Sequence, residues 1–318
     1  MARKIVVLRE TAPAVSAYSS VYLIAFQIDF TNLGSISAVL SSRMVHGLAT
    51  VVIFMFAVAC LRAQQDPSPR PLIRSVVEQY ARNTGSLQDF RFVRRVARAE
   101  LDPSGNQKAW TASTSKADFE EGVRATWLIA RDDRPLTANE QRKEEWEARR
   151  AAREWRGKTL AQRKEIEEKR SRKARTEREF LLELPEALEF RSRPVEIRNG
   201  RATLVFDFEP RPGYAPKSRE AHVFEGTRGT MWVDREDRQL VSLHAETFRE
   251  VTMGLFLASV DRGSRIDLNQ VRLESGAWVP LNQTVRYAAR ILFRNLKRQV
   301  ETQYRDFEPY SGPVWRGD

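Results

Sequence analysis

Cysteine occurs once in the 318 residues, at Cys60, which excludes a disulfide framework and any multi-cysteine metal cluster. Histidine is almost as scarce, and His46, His222 and His244 are too scattered to suggest a zinc site. No G-x-G-x-x-G, P-loop or βαβ period is present, so a doubly wound nucleotide-binding fold is not expected. No apolar run reaches the roughly 20 residues of a membrane-spanning helix. A Ser-His-acid triad or a pair of carboxylates in a cleft would mark catalysis. Instead His244 sits in strand alternation between Leu243 and Ala245, and Asp234, Glu236 and Asp237 fall in a turn. The chain is therefore read as no enzyme, with no cofactor.

What is present begins with an address. The longest apolar run, residues 48–61 (LATVVIFMFAVACL), has the length of a secretory h-region and follows Arg43. Three fates are open for it: cleavage after Ala63, acylation of Cys60 in a lipobox-like Ala57-Val58-Ala59-Cys60, or retention as an uncleaved anchor. Residues 1–43 are read as an extension ahead of a start at Met44, or an unstructured leader; 44–63 as the signal peptide; and 64–70 as a proline-marked linker. The formal net charge is +11 for the whole chain, of which about +8 belongs to the part after residue 63. Export to the periplasm is expected, with outer-membrane association or a lipid anchor if Cys60 is acylated.

From residue 71 to 318 the pattern is that of one domain. Leu72, Ile73, Val76, Val77 and Tyr80 mark one face of an amphipathic helix, opened by Pro71. Alternation then predicts strands around Phe90–Val96 and Val123–Ile129, and a β-meander after Glu189. The charged turn Arg235-Glu236-Asp237-Arg238 and the Ser275-Gly276 turn are expected to close two hairpins. Residues 137–179 interrupt the strands with 15 basic and 10 acidic residues. Pairs such as Glu145–Arg149 at i, i+4 support a solvated helix there, and Gly157 is expected to divide it. Phe180-Leu181-Leu182 is read as the return of the sheet pattern. The basic run 169–178 would suit phosphate, but export argues against nucleic acid and favours an anionic membrane surface or an envelope protein.

Trp127, Phe206, Phe208, Trp232, Phe256 and Trp278 all fall in or beside predicted strands. An antiparallel sheet crossed by one helix leaves an apolar trough, which these six are expected to line, either closed on their own side chains or holding an apolar ligand.

The strand Trp232-Val233-Asp234, its charged hairpin into Leu240-Val241, the later Gly276-Ala277-Trp278-Val279-Pro280 and the terminal Tyr304-Arg305-Asp306-Phe307 together resemble the LolA/LolB lipoprotein-carrier superfamily. The resemblance covers about residues 71–136 and 180–310; the insertion at 137–179 departs from it. It implies an α+β fold: a strongly curved antiparallel sheet, an incomplete barrel, covered by an N-terminal helix. It further implies a noncatalytic carrier of a lipid or lipoprotein acyl chain in the bacterial envelope. The alternative is an envelope interaction protein that works through 137–179.

Overall fold

The structure is a computed structural model that describes residues 69–83, 86–253, 258–291 and 294–314. The leader, Cys60 and Phe256 lie outside the described residues. Three α-helices are described: α1 (Arg70–Asn83), α2 (Ala138–Arg156) and α3 (Leu160–Ala187). Among the described residues no helix is long and apolar enough to cross a membrane, and no cluster of metal-ligating side chains occurs.

Thirteen strands form one antiparallel sheet that does not close into a barrel. The first four are β1 (Phe90–Leu101), β2 (Gln107–Glu120), β3 (Val123–Arg131) and β4 (Arg134–Pro135). After the helices come β5 (Leu188–Arg198), β6 (Arg201–Pro210), β7 (Thr227–Asp234) and β8 (Leu240–Thr247). Two short strands, β9 (Val251–Met253) and β10 (Ala258–Val260), precede β11 (Arg265–Arg272), β12 (Trp278–Ile291) and β13 (Arg294–Pro309). The order across the sheet is β4-β3-β2-β1-β13-β12-β11-β8-β7-β6-β5, with β10 on the far end of β12 and β9 beside it. Two meanders are thus joined by a pairing of the first strand with the last, from Phe90 opposite Pro309 to Glu100 opposite Arg298.

The expected helix, hairpins and late meander are all present, and Gly157 does divide the charged segment as its C-cap. Each half opens with a capping box, Thr137 with Glu140 and Thr159 with Gln162, which satisfies two otherwise orphaned amide groups at each start. The difference lies after Glu179. Phe180, Leu181 and Leu182 do not return to strand; α3 continues through them to Ala187. The reason is spacing: Phe180, Leu181, Leu184 and Ala187 recur at i, i+1, i+4, i+7, a helical stripe that short apolar runs conceal.

The largest core lies between α1, the last two turns of α3 and the sheet. Ile73, Val76, Val77 and Tyr80 of α1, with Phe180 and Leu181 of α3, meet Phe190, Phe206, Phe208, Met231, Val233 and Leu268. Gly229 is required here: a Cβ on it would stand 1.9 Å from the His244 carbonyl oxygen and 2.7 Å from the Phe208 ring. On the opposite face α2 packs Ala148 and Ala152 onto Ala125 and Trp127. The two coverings are separate, so the sheet is dressed on one face by α1 and α3 and on the other by α2.

The charged turn is a clamp. Asp234, almost fully buried, accepts from the Glu236 and Asp237 amides at 3.0 and 2.7 Å and from Arg201 Nε and Nη2 at 2.6 and 2.9 Å. Asp237 Oδ2 in turn accepts from Arg272 Nε at 2.8 Å and Trp278 Nε1 at 3.0 Å. One four-residue turn therefore ties β6, β7, β8, β11 and β12. The Arg201 hydrogen bond, ahead of any other cause, holds the Asp234 carboxyl below the ordinary range. A carboxyl with a depressed folded-state pKa stabilises above its unfolded value, about 3.9, and that stability is lost as pH falls through the folded value. Asp234→Asn should lower stability by about 2 kcal/mol at pH 7. Its unfolding midpoint should also fall less than the parent's between pH 5 and pH 2, by urea titration followed by circular dichroism.

Candidate functional site: the seam between helices and sheet

The seam under α1 and α3 is built from side chains alone, because no backbone ladder joins a helix to a sheet. Phe180 stacks on Phe224 at 4.8 Å between centroids, and Phe190 tilts on Phe208 at 5.9 Å. Phe224 and Ala221 come from a 3-10 turn at Glu220–Gly226 and join the same core. Leu182 and Tyr214 pack against that core and also line a polar cleft of about 630 Å³ between α1, α3 and the loop 211–217. Arg74, Glu78, Glu186, Arg211, Tyr214 and Lys217 line it. Arg74 and Arg211 both pair with Glu186, bridging α1, α3 and the loop.

The loop is held by one buried carboxylate. Glu183, 6% exposed, accepts from the Tyr214 hydroxyl and from the Lys217 amide at 2.7 Å. Burial, and then the Glu183 carboxylate, push the Tyr214 phenol above its ordinary value, so the hydroxyl keeps its proton and donates it to Glu183.

Of the six aromatics named from the sequence, Phe206 and Phe208 lie in this seam. Trp127 is buried on the opposite sheet face, under α2, with the Arg149 guanidinium 5.1 Å from its ring centroid. Trp232 also points to the opposite face; Arg198 stacks on it at 4.0 Å and Glu196 accepts its Nε1–H at 3.0 Å. Trp278 is held at the Asp237 clamp. Phe256 is outside the described residues. Strand parity separates them: Met231 and Trp232 are successive residues of β7, so one faces the seam and the other turns away. Phe180, Leu181 and Met231 complete the seam and were not among the six. The helical stripe 180-181-184-187 was the signal that could have found the first two.

The charged segment divides unequally. Along α2, Arg149 bonds Glu120 and Glu145, and Arg153 bonds Glu120, fastening the helix to β2. In α3 no described side chain from 160 to 176 is buried, and Leu160 is 64% exposed. His222 and His244 pair with Glu225 at 3.2 Å and Asp267 at 2.6 Å, with no serine in either hydrogen bond.

No protein-family model matches the chain, and no curated protein does. Among solved structures it is similar to a DUF1329 family protein from Desulfovibrio piger, at 9% identity and a TM-score of 0.28, covering 77% of this chain and 95% of that one. It is also similar to a putative outer membrane lipoprotein-sorting protein domain from Vibrio parahaemolyticus, at 9% identity and 0.28, covering 74% and 92%. A LolA superfamily protein from Nitrosomonas europaea matches at 10% identity and 0.22, covering 78% and 96%. At these scores the likeness transfers no residue role.

Removing the buried acceptor tests the loop's tether. Glu183→Ala should cost about 1–3 kcal/mol and speed hydrogen exchange at the Lys217 amide, read by mass spectrometry; unchanged exchange would show that the loop is held by something else.

Proposed function

We propose that this chain is a noncatalytic binder of an apolar ligand, a lipid or acyl chain, in the bacterial cell envelope, and that the ligand enters between the sheet and the helices α1 and α3. The observation that carries this reading is the seam itself: a broad apolar sheet face covered by two helices through side-chain contact only, beside an open polar cleft. A ligand entering there replaces helix–sheet contact with ligand–sheet contact. Each Å² of apolar ligand surface removed from water contributes about 25 cal/mol, so the exchange needs little net free energy. Arg74 and Arg211 on Glu186, and Tyr214 on Glu183, are the polar latches that such opening would break. The apolar segment 48–61 supports export, and acylation of Cys60 would tether the protein to a membrane. Native mass spectrometry of protein purified without detergent should show lipid-sized adducts that leave on denaturation. The stripped protein should also bind a dansyl fatty acid with a blue shift; a bare protein that binds no fatty acid overturns the reading.

A second reading rests on residues 160–176 of α3, which hold seven basic and three acidic residues and in which no described side chain is buried. There α3 serves as a docking arm for an anionic membrane. Deleting the whole segment is a poor test, because α2 covers Trp127. Replacing Arg172, Arg175 and Arg178 with Gln leaves the fold and should abolish salt-sensitive sedimentation with phosphatidylglycerol vesicles, if the arm docks there.

A further inference from the structure

Strand β1 carries arginines on both faces of the sheet, and the two faces treat them differently. On the face that α2 covers, Arg91 meets Asp118 at 2.6 Å and Arg95 meets Asp133 at 2.6 Å. On the seam face, Arg94 and Arg98 have no such partner: among the described residues no carboxylate lies within 4.0 Å of either, nor of Arg124 on the same face. Their cross-strand neighbours are hydroxyls and apolar groups. Arg94 stands between Tyr304 and Ser115, Val96 between Thr302 and Ser113, and Arg98 between Val300 and Thr111. Arg124 lies over the Phe92 and Phe119 rings, at 5.2 and 5.3 Å, and donates to the Leu87 and Phe90 carbonyl oxygens.

Like charges gathered this closely repel, although Asp89 stands near Arg124, and Glu100, paired with Arg298, follows two residues after Arg98. Burial, and then Arg94, lower the pKa of Arg98; burial also brings Arg124 down to about 10, with Asp89 opposing that shift and Arg94 adding to it. Two buried donors in this region also lack acceptors: Arg124 Nη1, and Nε2 of Gln283, a residue only 3% exposed. Gln283 shares one cross-strand row with Thr302, Val96 and Ser113, and that row continues through Leu268 into the apolar seam. Arg94 and Arg98 are four residues apart on an extended strand, roughly 13 Å, a span across which two long side chains can converge on one group above Val96.

We propose that Arg94, Arg98 and Arg124, with the Tyr304, Thr302 and Ser113 hydroxyls and the Gln283 amide, form a receptor for a phosphate group. Guanidinium forks match phosphate oxygens in geometry and charge, and a bound anion would relieve the mutual repulsion and give the orphaned donors their acceptors. The row into the seam lets one molecule lay a phosphate on the arginines and its chain beside Leu268. This deepens the reading above by naming the head group, yet the receptor does not require the seam to open, because free phosphate would satisfy the same donors.

The experiment is calorimetric titration of the purified protein with inorganic phosphate and, separately, with monomeric dihexanoylphosphatidic acid at equal ionic strength. One ligand per chain is expected. Arg94→Gln/Arg98→Gln should weaken binding at least tenfold, while Arg262→Gln, an equal charge change at an exposed turn, should leave it unchanged. Should the double variant fail to fold, Arg98→Gln alone should give a several-fold loss and Arg98→Lys a smaller one. Phosphatidic acid binding at least tenfold tighter than phosphate assigns the site to a lipid head group; equal affinities assign it to the free anion. Binding of neither ligand, or equal loss in Arg262→Gln, overturns the receptor. Loss of dansyl fatty acid binding with phosphate binding intact would overturn the carrier reading and spare this one.

Discussion

The covering of one sheet face by α1 and the end of α3 is the constraint on which the rest of the molecule depends. A sheet with a row such as Phe190, Phe206, Phe208 and Met231 on one side cannot stand in water with that side bare. The chain meets this need with helices drawn from two distant places, before β1 and just before β5. The helix that starts in the insertion is therefore no ornament: α3 runs on past residue 179, and its final two turns supply Phe180 and Leu181 to the same core that the first helix fills. Its earlier part, α2, covers a different face through Ala148 and Ala152, and the stretch between is left in water.

Where periodicity was long or punctuation strong, the fold was legible in the sequence. Leu72 to Tyr80 gave the face of α1, the Arg235–Arg238 turn gave β7 and β8, and Gly157 gave the break between α2 and α3. The strand β2 escaped because its sequence, QKAWTASTSKADFE, is mostly small and polar. It is held by pairing on both sides, with β1 and β3, and that is tertiary information. The site was legible only by half. Aromatic residues were identifiable as strand residues, but which face each one takes depends on register and on bulges. The shifts at Arg193/Glu196 and Trp232/Val233 are of this kind, and no spacing rule announces them.

Charge shows the same division between what composition states and what position decides. The excess of basic residues reads from the sequence as a property of the insertion. The ion pairs of α2 consume part of that charge locally, on Glu120 and Glu121 beside it and on its own Glu145. Among the described residues, Arg94 and Arg98 of β1 have no carboxylate within 4.0 Å while Arg91 and Arg95 do, because the RFVRRVAR alternation sends the two pairs to opposite sides. A net charge cannot reveal that sorting; the pleat of the strand does.

The pairing of β1 with β13 has a consequence in time. Its partners are separated by about two hundred residues, and β1 has only β2 to hold it until the end of the chain arrives. Closing so long a loop comes late in folding, since its entropy must be met before the ladder forms. During synthesis the amino-terminal meander and the later one remain two halves without a junction, the apolar face of each incompletely matched. A polypeptide in that condition is not yet locked, and only the arrival of β13 beside β1 closes the sheet.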